Sequence, residues 1–193
     1  MHMNFDDAVK FHGHACPGLA LGYRVAKLAL KKLGVRARDE ELVAIVENNS
    51  CAVDAIQLIC GCTFGKGNLI FKDFGKQVYT FIKRPHPEAI RIAVKWTPSQ
   101  EDSKMEAMWK RYAEGDRSPG VITAVQDRKS RKMKSVLEAE DSELFEVKRR
   151  AVEMPKPARI YKSMTCGVCG EKVMESRTRA VGDQVLCMPC SKK

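Results

Sequence analysis

Residues Phe11–Arg24 read FHGHACPGLALGYR, and this stretch places two histidines and a cysteine beside the start of a predicted helix. Proline is favoured at the first helical position, because its missing N–H would be unpaired there anyway. Pro17 therefore predicts that Cys16 caps a helix running to Leu33. A thiol in that position faces free backbone N–H groups and the positive end of the helix dipole, which favours the thiolate. The stretch indicates a metal or redox site, the alternative being that Cys16 is a small buried hydrophobe and the histidines cap a turn.

A second cysteine stands before another predicted helix. Leu42–Val46 is short and mostly β-branched, and it reads as a buried strand followed by a turn. A helix is then predicted over Cys51–Ile59, with Ser50 or Cys51 as its cap and Gly61 at its end. One strand end, two helix starts and one helix end are therefore expected to meet at a pocket that carries several thiols. The thiols of this second region are Cys51, Cys60 and Cys62.

The pattern up to residue 153 predicts an α+β domain, in which an antiparallel sheet packs with helices. The strands after the first are expected to form a twisted antiparallel meander. Residues 144–152 fit either a helix or a strand, and we favour a strand that returns to the sheet as its last member, because apolar and charged residues alternate there. The predicted strands cover residues 42–46, 68–73, 76–83, 89–95 and 144–152.

Further helices are predicted before and after these strands. One begins at Asn4 and ends at Phe11, the next begins at Thr97 or Ser99 and ends near Glu114, and a third covers residues 121–140. The second of these helices carries a row of large apolar side chains that we interpret as core. The row consists of Met105, Met108, Trp109 and Tyr112.

Composition describes an ordinary globular protein of 193 residues with 44% hydrophobic and 30% charged residues. No apolar run reaches the roughly 18 residues that a membrane span needs, and the N-terminus lacks the order of a signal peptide. The sequence therefore predicts a cytoplasmic protein without a membrane partner. In that compartment, eight cysteines indicate metal or redox chemistry rather than a disulfide framework.

The formal net charge of +10 permits binding to nucleic acid, to an acidic protein or to an anionic ligand. The most basic segment is 128–134, which carries five lysines and arginines on a predicted helix. Acidic residues follow directly and no aromatic residues are interleaved, so a solvated face is favoured over a nucleic-acid surface.

The last part of the chain carries the strongest motif. Two Cys-x-x-Cys pairs, separated by the 17 residues 170–186, match the spacing of a structural zinc site. About 30 residues cannot fold on core burial alone, so the metal must supply the stability. A redox dithiol pair is the alternative, but the βαβ context of thioredoxin-like sites is missing. We therefore predict a linker over 154–163 and a zinc ribbon over 164–193, with Cys166, Cys169, Cys187 and Cys190 as ligands.

Three blocks taken together resemble the family of the E subunit of formylmethanofuran dehydrogenase. They are His12-Gly13-His14-x-Cys16-Pro17-Gly18, Cys51-x-x-Asp54-Ala55-Ile56-Gln57 and Gly61-Cys62-Thr63-x-Gly65-Lys66-Gly67-Asn68. The resemblance implies an α+β domain with a cysteine-lined site, a homodimer and a zinc-ribbon tail. Carried over by position, the implied site residues are His14, Cys16, Cys51 and Cys62, with His12 as an alternative imidazole and Cys60 as a spare.

The resemblance implies a metal-binding protein with an accessory or redox role in one-carbon, methanogenesis-type metabolism, with other dehydrogenase subunits as potential partners. A second metal ion at the N-terminal site would accompany the structural zinc. Catalysis by this chain alone is not expected, because it has no ferredoxin-type cysteine run. One alternative is a regulatory or adaptor protein that senses a ligand or metal and uses the ribbon and basic helix to contact nucleic acid or a protein. Another is an independent enzyme, in which Cys16 forms a nucleophile–base pair with His14 or His12.

Overall fold

Residues 3–98 and 102–192 are described by the computed structural model, in which the chain divides after Pro157 into two units. That division lies inside the linker predicted at 154–163. The first unit is α+β, with one sheet packed against helices. None of the helices in the described residues combines the length and the apolar character that crossing a membrane requires.

The helices of the first unit begin and end close to the predicted residues. The helix after Cys16 has the predicted bounds, and four others differ from prediction by a few residues at their ends. The short helix Asp141–Leu144 was not predicted. The predicted start at Ser99 lies outside the described residues, and that helix begins after Asp102, whose side chain accepts a hydrogen bond from Met105 N at 2.7 Å. Within the described part of this unit the α-helices are α1 (Phe5–His12), α2 (Pro17–Leu33), α3 (Ala52–Cys60), α4 (Ser103–Ala113), α5 (Pro119–Glu138) and α6 (Asp141–Leu144).

The sheet of the first unit has five strands: β1 (Leu42–Val46), β2 (Leu69–Phe71), β3 (Val78–Lys83), β4 (Glu88–Val94) and β5 (Phe145–Ala151). Their order is β2-β1-β3-β4-β5. The last four strands pair antiparallel, but β2 pairs parallel to β1, with Ala44 opposite Leu69. The expected simple meander is therefore wrong at β2. The chain between β1 and β2 passes through α3, and such a crossover is what a parallel pair requires.

Strand β1 is buried on both faces, which explains its continuous apolar sequence. Leu42, Ala44 and Val46 join the main core, together with buried residues of α2 and α3. Val43 points to the other face and packs with Ile82. Helices α2 and α3 therefore pack on one face of the sheet, and these two helices position the candidate site.

Helices α2 and α3 approach each other closely at Gly22. A Cβ added to Gly22 would lie 2.2 Å from the carbonyl oxygen of Ala52 and 2.4 Å from its Cα. Only glycine permits this approach, because backbone atoms cannot turn away as a flexible side chain can. The contact holds the beginning of α3 beside α2, and so brings Cys51 close to Cys16.

The row of large side chains on α4 is not core. All residues of α4 are described and none of them is buried, while Trp109 is 37% exposed. The row lies against α5 instead, where the Arg128 guanidinium is 4.2 Å from the centre of the Trp109 ring. Helical spacing of apolar residues showed that α4 has a packing face, but the face covers another surface helix rather than the sheet.

Replacing Arg24 with lysine is expected to lower the free energy of unfolding by about 2 kcal/mol. The Arg24 guanidinium donates to the carbonyl oxygens of Val136 at 2.7 Å, Leu137 at 2.8 Å and Ala139 at 2.6 Å, and so caps the end of α5. An ammonium cannot reproduce this forked donation. Urea denaturation measures the change. The exposed Lys32 on the same helix offers the matched exchange, Lys32→Arg, which should shift stability by less than about 0.5 kcal/mol. Equal stability of the two variants would contradict the capping role.

The second unit contains two short antiparallel hairpins and two single turns of 3-10 helix, Glu175–Arg177 and Cys190–Lys192. The first pairs β6 (Ser163–Thr165) with β7 (Lys172–Met174), and the second pairs β8 (Thr178–Val181) with β9 (Gln184–Cys187). One cysteine pair lies in the loop of the first hairpin, and the other lies at the end of β9. Among its described residues, three are buried apolar side chains: Cys166, Leu186 and Cys187.

Candidate metal centre

The segment between α1 and α2 is shaped by local caps. Asn4 and Asp7 exchange side-chain and backbone hydrogen bonds at the start of α1. Gly13 ends the helix with φ of +93°, in the left-handed region, and its N–H donates to Val9 O at 2.8 Å. His12 is thus the last residue of α1, and the chain turns immediately toward α2.

Cys16 caps α2 as predicted. Its backbone is extended, with φ of −152°, and its Sγ accepts a hydrogen bond from Leu19 N at 3.3 Å. Cys51 stands directly before α3, but its backbone is already helical and its side chain makes no capping hydrogen bond. Burial, followed by the neighbouring Cys16 thiol, raises the pKa of Cys51 above its ordinary value. The position of Cys51 at a helix start therefore does not lower the pKa of its thiol.

Four side chains from two distant segments of the chain, 12–16 and the start of α3, meet at one place. One ligand atom each from His12, His14, Cys16 and Cys51 lies within 4.8 Å of the others. The two imidazole rings are 4.5 Å apart between centroids. His14 is exposed, whereas His12, Cys16 and Cys51 are partly buried, so the group opens to the surface on one side. Two sulfur and two nitrogen donors at such separations form the donor set of a tetrahedral zinc site.

His12 has one ring nitrogen engaged and one free. Its Nδ1 lies 2.7 Å from Oδ2 of Asp54. Its Nε2 is buried and has no hydrogen-bond partner among the described residues. A buried nitrogen without a partner is unfavourable, and a metal ion at the cluster would satisfy it. The residues present therefore fit a bound metal ion.

Cys62 does not join this cluster, contrary to the prediction. It is fully buried, and its Sγ donates to Leu42 O at 3.3 Å in the main core. Burial raises its pKa to about 12. Cys60 is likewise fully buried, and burial raises its pKa well above the ordinary value. Both side chains lie in the core on either side of Gly61, where α3 ends.

The structure gives His12 and Asp54 larger roles at the candidate metal site than the sequence alone indicates. In the sequence, His12 is only the alternative imidazole, and Asp54 belongs to a matched block without an assigned role. Cys51 and Asp54 are three residues apart at the start of a predicted helix, so both lie on one face of it. This spacing is the signal in the sequence that could have indicated a role for Asp54 at the site. That His12 reaches this face depends on the packing of α1 against α3, which the local pattern does not contain.

The second unit brings its four predicted ligands together. The Sγ atoms of Cys166, Cys169, Cys187 and Cys190 all lie within 4.8 Å of one another. Backbone N–H groups of Cys169, Cys187 and Val168 hold the pKa of Cys166 down to about 6, which favours the thiolate that a metal requires. Four thiolates at one point form a closed structural zinc site, with no position left for a substrate. The described cysteines of the whole chain are free of disulfides.

Comparison with known families assigns a match to each unit. The model of the family described as "FmdE, Molybdenum formylmethanofuran dehydrogenase operon" matches residues 11–146. The model of the prokaryotic dksA/traR C4-type zinc finger matches residues 159–193. The first match covers most of the chain, and the second covers all four cysteines of the tail. Together they indicate a metal-binding protein with zinc in its second unit.

Two individual proteins are similar to this chain. A probable S-adenosyl-L-methionine-binding protein of Archaeoglobus fulgidus is 30% identical over 195 residues, which cover 95% of this chain and 51% of that protein. The chain thus spans about half the length of this curated relative. The crystal structure of a tungsten formylmethanofuran dehydrogenase FmdE-like protein from Syntrophus aciditrophicus has a TM-score of 0.61 and 21% identity, covering 98% of this chain and 92% of that chain. This likeness shows a shared fold.

Proposed function

Since the chain belongs to the FmdE family, we propose that its first unit binds a divalent transition-metal ion, and that the protein has an accessory or redox role in one-carbon metabolism. The single observation that carries the proposal is the convergence of His12, His14, Cys16 and Cys51, with their ligand atoms within 4.8 Å of one another. The buried Nε2 of His12, which no described group satisfies, supports it independently. The structural zinc of the second unit is a separate ion.

The donor set defines what the bound ion would supply. Thiolate and imidazole favour zinc, and an ion held by both is a Lewis acid that can bind a small ligand if one protein ligand gives way. His14 is the ligand suited to exchange, because it is exposed and lies on the short segment between α1 and α2. His12, Cys16 and Cys51 are anchored at helix ends and supply the fixed part of the site.

The cysteine inventory supports an accessory role rather than electron transfer through iron–sulfur clusters. Four of the eight cysteines belong to the zinc finger, two belong to the proposed site, and two are core residues. Ferredoxin-type clusters require runs of closely spaced cysteines, and the sequence contains none. The oxidoreductase chemistry that the family name describes is therefore assigned to partner subunits.

Replacing Cys16 or Cys51 with serine is expected to remove one of two metal ions per chain. Each variant loses a thiolate from the proposed site, and the affinity for zinc should fall by more than about 100-fold, beyond the loss typical of a hydrogen-bonded outer partner. Elemental analysis after dialysis against zinc at limiting free concentration measures the effect. Cys62→Ala is the matched control, since Cys62 lies in the core, and it should retain both ions.

Two outcomes with the same variants would contradict the proposal. If wild-type protein binds one ion only, and Cys16→Ser binds the same amount, the first unit holds no metal. If Cys62→Ala loses an ion while Cys51→Ser retains it, the ligands differ from those that the structure brings together.

A further inference from the structure

The contact between His12 and Asp54 joins two elements that are distant in sequence. His12 ends α1, Asp54 lies in the first turn of α3, and their Nδ1 and Oδ2 atoms are 2.7 Å apart. The His12 side chain is only 12% exposed, so this is a partly buried interaction rather than a surface pair. Its geometry is therefore maintained by packing.

The partner of Nδ1 determines which nitrogen of His12 is free to bind a metal. A carboxylate only accepts hydrogen bonds, so it favours the tautomer with the proton on Nδ1. The lone pair then lies on Nε2, the atom that is buried without a partner. In the alternative, a charged imidazolium that merely pairs with Asp54, a buried Nε2–H would have no acceptor among the described residues. The free Nε2 thus favours a ring that binds an ion over a purely structural ion pair.

Asp54 is itself held in position. Gln57 donates from Nε2 to Oδ1 of Asp54 at 3.4 Å, and its Oε1 accepts from the N–H of Phe64 at 3.4 Å. The chain of contacts runs from the loop after α3 to His12. Because Cys51 stands at the start of the same helix, α3 presents one thiol to the cluster and, one turn later, the carboxylate that orients an imidazole.

We propose that Asp54 is a positioning residue for metal binding: it fixes His12 in the Nδ1–H tautomer and directs Nε2 to an ion shared with Cys16, Cys51 and His14. The proposal rests on the metal site proposed above and assigns it an outer partner. Metal-binding histidines typically donate their second N–H to such a carboxylate, which makes them better ligands. A loss of about 10–100-fold in metal affinity is the usual effect of removing it.

The test compares Asp54→Ala with wild type in the full chain, with zinc already bound to the second unit. Alanine keeps the helix, because it is the best helix former and Asp54 is 38% exposed. Two readouts are used: nitrogen-15 spectra of labelled histidine, which report the tautomer of His12, and titration with Co²⁺, whose thiolate absorption reports binding at the first unit. Asp6→Ala, on the exposed side of α1, removes the same charge and is the control.

We expect wild type and Asp6→Ala to show the Nδ1–H tautomer and equal Co²⁺ affinity. Asp54→Ala should show a mixture of tautomers and an affinity lower by about 10–100-fold, while Asp54→Glu recovers part of the loss. If Asp54→Ala binds Co²⁺ as wild type does and keeps its tautomer, the positioning role is overturned and the metal site stands. If wild type takes up no Co²⁺ beyond the second unit, the proposed function fails and the positioning role fails with it.

Discussion

Replacing Cys166 with serine is expected to unfold the second unit and leave the first unit folded. The second unit has only three buried apolar side chains among its described residues, and two of them are metal ligands. Structural zinc contributes about 10–16 kcal/mol to folding in peptides of this size, far more than so small a core. In a ¹H–¹⁵N spectrum of the full chain, the resonances of residues 158–192 should collapse to random-coil positions, while those of the first unit persist.

A substitution inside the same cysteine loop serves as the control for this experiment. Val168 lies between two ligands but is 62% exposed, so Val168→Ala should keep both the ion and the spectrum. Addition of a strong zinc chelator to wild type should reproduce the effect of Cys166→Ser. Dispersed resonances from the second unit in the metal-free protein would show that it folds without the ion.

Gly22→Ala is expected to lower the free energy of unfolding of the first unit by about 3 kcal/mol or more, at the upper end of the usual cost of overpacking. The new methyl group would lie 2.2 Å from Ala52 O and 2.7 Å from Ala52 C, both backbone atoms. Relief requires α2 and α3 to separate. Since α2 follows Cys16 and α3 follows Cys51, the separation should also weaken metal binding in the first unit. Chemical denaturation and a zinc titration measure the two effects.

The matched control is Gly120→Ala, also at a helical glycine. Apart from the adjacent residues and the backbone of its own helix, no described atom lies within 4 Å of a Cβ built at Gly120. The substitution should therefore stabilise the protein by about 0.4–1 kcal/mol by restricting the unfolded chain. If Gly22→Ala and Gly120→Ala had the same effect on stability, the close approach of α2 and α3 would not be the reason for glycine at position 22.

Features set by neighbours in sequence could be predicted. Pro17 and Gly34 gave α2 its bounds, because the chemistry of helix ends acts over a few residues. The four ligands of the second unit followed from spacing, since each Cys-x-x-Cys pair fits one tight turn. In the first unit, Cys16 and Cys51 were identified by the same local reasoning about helix starts.

Features set by contacts between distant segments were missed. The parallel pairing of β2 depends on the path of α3 across the sheet, and the exposed position of Trp109 depends on α5. Cys62 was expected in the site because one of the blocks that resemble the family carries it, but one residue after Gly61 its side chain points into the core. The role of His12 required knowledge that α1 packs against α3.

The central claim is that the first unit holds a metal ion at His12, His14, Cys16 and Cys51, separate from the ion of the zinc finger. Anomalous diffraction from crystals of the zinc-loaded full chain, recorded on both sides of the zinc absorption edge, tests it most directly. We expect two zinc peaks per chain, one among the four thiols of the second unit and one beside Cys16 Sγ and His12 Nε2. A single peak, confined to the second unit of fully loaded protein, would contradict the claim.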